Sequence, residues 1–216
     1  MRALLPILIV IVTPPWIGGC RTAMYSALES VGIEKRDVLV KRVSAARDAQ
    51  TAAKEQFVSA LDQFRSVVQV DGGDLEQTYD RLSREYDRAS DRARAVTERI
   101  DAVEQVAADL FDEWEDELDE YSSPDLRRDS QRLLQDMRTR YGSLIRSMRR
   151  AEKSMSPVLD TFQDQVLVLK HNLNARAIGS LRKELTSIER QTATLIQEME
   201  RAIAEANDFI REMNQG

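Results

Sequence analysis

Apolar residues recur along this chain in alternating steps of four and three. Leu39, Val43, Ala46, Gln50, Ala53, Phe57, Ala60, Phe64 and Val67 form the first run, with Gln50 its single polar member. Leu75, Tyr79, Leu82, Tyr86, Ala89, Ala93, Val96, Ile100, Val103, Ala107, Leu110 and Trp114 form the second and cleanest. The third passes through Leu126, Leu133, Met137, Tyr141, Leu144, Met148, Ala151, Met155, Val158, Phe162 and Leu169, and the fourth through Ile178, Leu185, Ile188, Leu195, Met199, Ala206, Phe209 and Met213. A seven-residue repeat holds one apolar stripe along a helix and buries it against a partner helix. The expected fold is therefore all-α: an elongated antiparallel bundle of about four long helices with coiled-coil-like packing.

Local signals punctuate the runs. Gly72-Gly73 turns freely, and Asp74 with Gln77 has the spacing of a capping box, so a helix is expected to start there. Ser123 before Pro124 reads as an N-cap and first helical residue. Asn172 and Asn174 are poor helix formers and favour the last reversal near residues 171–175, with Pro157 as a kink; a turn at Ser156-Pro157 is the alternative. Folding the second run onto the third about Ser122 brings Glu113 and Glu117 toward Arg132 and Arg128. Phe57, Phe64, Trp114, Phe162 and Phe209 are expected to supply the larger buried areas.

The opening of the chain has a different character. Arg2 is followed by the apolar run from Ala3 to Val12, which is too short to span a membrane and closes on small residues, as a signal peptide does. Ile17-Gly18-Gly19-Cys20 resembles the bacterial lipobox, in which the cysteine thiol receives diacylglycerol. Cys20 is the one cysteine, so no disulfide can form within the chain and the lipid is its natural use. Acyl chains contribute roughly 0.8 kcal/mol per buried methylene, enough for a firm hold on the membrane. Arg21 follows the cysteine where aspartate signals inner-membrane retention, which favours the periplasmic face of the outer membrane. The expected organisation is a signal peptide over 1–19, an anchor linker with a short helix over 20–33, and a helical bundle over 34–216.

Composition narrows the function classes. The chain of 216 residues carries a net charge of −6, with 31% charged residues, 8 glycines and 5 prolines, which suits solvated helices and repels nucleic acid. There is one histidine, and the residue three before it is Val168, so the Glu-x-x-His pairs of a di-iron bundle are absent. No cofactor and no metal site is expected. The acidic stretch Asp112, Glu113, Glu115, Asp116, Glu117, Asp119, Glu120 lacks calcium-loop spacing and reads as a solvated helix face. Arg138, Arg140, Arg146, Arg149, Arg150 and Lys153 could grip phosphate or an acidic partner, but read as another solvated face that balances the acids. No nucleophile elbow, phosphate loop or dinucleotide fingerprint occurs.

The densest polar cluster is Lys170, His171, Asn172 and Asn174. A histidine such as His171 can act as a general base or pH sensor, but histidine and asparagine also satisfy free backbone groups where a helix ends, and that structural role is the expectation.

Several segments carry a family resemblance: Glu34-Lys35-Arg36-Asp37, Phe111-Asp112-Glu113-Trp114, Met155-Ser156-Pro157-Val158-Leu159, and above all Leu169-Lys170-His171-Asn172-Leu173-Asn174-Ala175. In these the chain resembles an uncharacterised family of bacterial helical lipoproteins, the domain of unknown function 2959. The resemblance implies a helical, membrane-tethered protein and transfers no activity, substrate or catalytic residue. The expected function is a non-enzymatic envelope scaffold or adaptor, tethered by its lipid and binding a protein partner or another copy of itself. A ligand-binding or hydrolytic periplasmic protein using the polar cluster at His171 is the alternative.

Overall fold

Four long helices account for the stripes. The computed structural model describes residues 35–69, 75–172 and 175–215. Helix α1 spans Lys35–Gln69, α2 Leu75–Glu117, α3 Pro124–His171 and α4 Ala175–Gln215, with a short 3-10 turn at Leu118–Glu120. No strand occurs among the described residues. The signal segment, Cys20, the anchor linker, the Gly72-Gly73 turn and Asn174 lie outside them. Residues 36–216 form one compact unit.

Polar pairs fix the helix order. On α1 and α4, Arg47 donates to Asn207 at 3.1 Å, Lys54 reaches Glu200 at 3.4 Å and Arg65 pairs with Glu189 at 2.7 Å, so numbers rise on one helix as they fall on the other. Gln56 of α1 donates to Glu85 of α2 at 2.6 Å. Arg149 of α3 meets Glu104 of α2 at 2.5 Å, and Arg140 of α3 pairs with Glu212 of α4 at 3.0 Å. Neighbours around the core thus run α1, α2, α3, α4 and back to α1, each antiparallel to the next. At about 1.5 Å per residue, the helices are roughly 50 to 70 Å long.

The first run is buried without exception, including Gln50, and the middle of the second is buried from Ala89 to Ala107. Phe64 and Phe162 stack across the centre with ring centroids 6.2 Å apart. Each fully buried Leu, Ile or Phe of these stripes contributes about 1.5–3 kcal/mol.

The start of α3 follows the expected mechanism. Ser123 is extended at φ −92° and ψ 120°, its hydroxyl accepts from the Leu126 N–H at 3.5 Å, and Pro124 occupies the first turn, where no helical N–H is needed. The last reversal is the asparagine one. Helix α3 runs through Pro157 to His171, and Asn172 closes it.

Two expectations need correction. Leu126 and Leu133 are 57% and 60% exposed, whereas Ser130 and Leu134 are buried. Core positions on α3 keep strict phase through Ser130, Leu134, Met137, Tyr141 and Leu144, and the two exposed leucines stand beside that seam. Trp114 is only half-buried, and Phe111 takes the deeper place, with 7% exposure. Across the α2–α3 turn Arg127 pairs with Asp119 at 2.5 Å and Arg138 with Glu115 at 2.6 Å, and Arg128 and Arg132 also pair within α3, with Asp125 and Asp129.

Candidate functional site

Among the described residues, α2 and α3 run past the ends of the other two helices. Arg140 pairs with Glu212 in the last turn of α4, and Arg36 in the first turn of α1 donates to the Met213 carbonyl. Beyond that level α3 still has more than three turns, from Pro124 to Asp136, with α2 beside it. Leu126, Leu133 and Tyr121 are exposed on this tip.

At the base of the tip lies a cavity of about 270 Å³. Leu110, Trp114, Leu133, Met137, Phe209 and Met213 form its apolar wall, and Arg36, Asp136, Arg140 and Glu212 its charged rim. Among the described residues, the cavity lies where α1 and α4 end against α2 and α3.

Below and beside it the tip is held by specific contacts. Trp114 donates its indole N–H to the Ser130 hydroxyl at 2.8 Å. The Phe111 ring meets Tyr141 edge-on at 5.3 Å, and the Arg138 guanidinium lies over Phe111 at 5.7 Å while bonding Glu115. That hydrogen bond and the charge of Arg138 hold the Glu115 carboxyl below the usual carboxylate range. One step further in, Arg149 bonds Glu104 at 2.5 Å, Asp101 at 2.5 Å and Glu152 at 2.8 Å, and these carboxylates, Glu104 foremost, raise its pKa. Burial, with Glu104 adding to it and Arg149 opposing it, pushes the Tyr141 hydroxyl up to about 12. The arginine run read as a solvated face thus contains a cross-helix clamp, legible only once antiparallel register sets residue 149 opposite residues 101 and 104.

The polar cluster of the sequence is at the far end of α3. Lys170 and His171 are exposed in its last turn. Asn172 supplies the cap: its backbone N–H donates to the carbonyls of Val168 at 3.0 Å and Leu169 at 3.2 Å, and its side-chain Nδ2 donates to Val168 at 3.2 Å. His171 shares the helix end but is not the capping group. Some 31 positions of helix, on the order of 45 Å, separate it from the cavity at Arg140.

Among the described residues, no group of three or more His, Cys, Asp or Glu is arranged to hold a metal ion, and no helix is long and apolar enough to cross a membrane. Neither a curated protein nor a solved structure matches the chain. The family model described as "Protein of unknown function (DUF2959)" matches residues 24–213, and the chain therefore belongs to that family.

Proposed function

We propose that the protein is a lipid-anchored scaffold or adaptor of the bacterial envelope, presenting the tip of its α2–α3 hairpin to a protein partner. The observation that carries this reading is the placement of exposed Leu126 and Leu133 beside the apolar cavity around Trp114. Large apolar side chains exposed together beside an apolar cavity are a signature of an interaction surface. The anchor rests on Ile17-Gly18-Gly19-Cys20 and the apolar segment before it, and Arg21 favours the outer membrane.

Two measurements test the proposal. Replacing Cys20 with Ser should abolish palmitate labelling and release the protein from the membrane fraction; label and membrane association that both survive would remove the anchor. A photo-crosslinking residue at position 133 should capture a discrete protein in cells, whereas the same residue at exposed position 153 should not. Equal capture at both positions would sink the adaptor reading.

A further inference from the structure

We propose that α1 opens as a unit from a core of α2, α3 and α4 that stays folded, and that the buried amide of Gln50 keeps α1 docked weakly enough for this. The opening is a property of the bundle itself and depends on no partner at the tip.

Register locates the weak point. Gln50 stands seven and fourteen residues before Phe57 and Phe64, so it shares their inward direction at the centre of the α1 stripe. Phe64 stacks on Phe162, and α1 runs parallel to α3, so fourteen residues back along both helices Gln50 meets the level of Met148. The polar pairs agree. Arg47–Asn207 and Lys54–Glu200 set Gln50 level with residues 202–206 of α4, and Arg140–Glu212 with Thr161–Gln191 carries that level to Ser147 and Met148 of α3. Here Gln50 is fully buried with neither amide atom partnered on the protein, and the hydroxyl of buried Ser147 is unpartnered as well.

Chemistry separates the two. A hydroxyl on a helix can rotate to the carbonyl four residues back, as Thr51, Thr161 and Thr194 do. Ser147 has that recourse, and so has Thr192, the unpartnered buried hydroxyl of α4. The Gln50 amide carries both a donor and an acceptor at the end of a longer side chain, with no such local exit. Water satisfies both when α1 leaves, so Gln50 favours the open form.

A second site on the same interface points the same way. The Oε1 of buried Gln165 on α3 is unpartnered, and Gln165 lines a cavity of about 10 Å³ with Ala60 and Phe64 of α1. Release of α1 gives this oxygen water too, and uncovers Leu82, Phe162 and Val166, which complete the apolar lining. The ion pairs of α1 with α4, Lys54–Glu200 and Arg65–Glu189, are partly exposed and add little to the hold. One end of α1 is joined to no other helix of the bundle, whereas α2 and α3 are joined to neighbours at both ends.

Native-state hydrogen exchange of the full chain, read helix by helix, tests the proposal. The slowest amides of α1 should exchange at least about tenfold faster than those of α3, because they need only the partial opening. Ser130→Ala should speed the slowest α3 amides about fivefold and leave α1 unchanged, since the Trp114–Ser130 bond between α2 and α3 survives when α1 leaves. Gln50→Leu should slow α1 by roughly ten- to a hundredfold, and α3 alike, because residue 50 leaves the core in the partial and the complete opening. Equal rates in α1 and α3, α1 amides that quicken with Ser130→Ala, or a Gln50→Leu chain whose α1 exchanges no more slowly than wild type would each overturn the proposal.

Discussion

The indole N–H of Trp114 donates to the hydroxyl of Ser130 at 2.8 Å, tying α2 to α3 just inside their turn. This bond lets a serine occupy a core position, and with Ser130 and Leu134 inside, Leu126 and Leu133 are left facing outward.

Removal of the hydroxyl in Ser130→Ala should therefore lower stability by about 1 kcal/mol, because the indole loses its partner. Leu134→Ala should cost about 2–5 kcal/mol, and Leu133→Ser no more than about 0.5 kcal/mol. Urea unfolding of the three variants measures this directly. Similar losses at positions 133 and 134 would mean that the helix has the wrong phase.

Gln50 is fully buried in the α1 stripe, and neither its amide nitrogen nor its oxygen has a partner on the protein. Leucine has nearly the same reach and no polar atoms to desolvate. Gln50→Leu should stabilise the bundle by about 1–3 kcal/mol, read as a higher midpoint in urea with an unchanged slope. A destabilised variant would show that the amide is satisfied in solution.

Tyr141 titrates higher in the folded chain, near 12, than its ordinary value of 10. The folded state holds that proton more tightly, so its contribution to stability is complete below pH 10 and fades between pH 10 and about 12. Tyr141→Phe should flatten the alkaline stability curve over that window. The difference between wild type and variant isolates the contribution of the tyrosine. Arg149→Met should cost about 1 kcal/mol, the modest figure expected for a clamp that water partly screens, and should shift the alkaline loss to still higher pH by leaving Glu104 unopposed beside the hydroxyl.

At the far end, His171 is exposed while Asn172 makes the cap. His171→Gln and His171→Leu should each change stability by less than about 0.5 kcal/mol, whereas Asn172→Ala should cost about 1 kcal/mol. Complementation paired with melting curves checks the functional side. A stable, correctly anchored His171→Gln protein with no function would replace the adaptor with an enzyme.

The four long helices, their direction and both ends of α3 were legible in the residues themselves, since each depends on local chemistry: three-four periodicity, a serine before a proline, and an asparagine where the helix closes. Phase proved more telling than identity. Gln50 lies on the repeat and is buried as the repeat requires, while Leu126 and Leu133, leucines that composition alone would place inside, stand beside the seam at Ser130, Leu134 and Met137 and are exposed. Which part of α3 the described lengths of α1 and α4 cover was illegible, because it is set by side-chain register between helices far apart in the chain. Pairing of Arg140 with Glu212, more than seventy residues away, sets the level on α3 at which the described part of α4 ends. The same register converts Arg149 from a surface charge into a clamp on Asp101 and Glu104, because one stripe records which face of a helix is buried but not how far the neighbouring helix has slid along it.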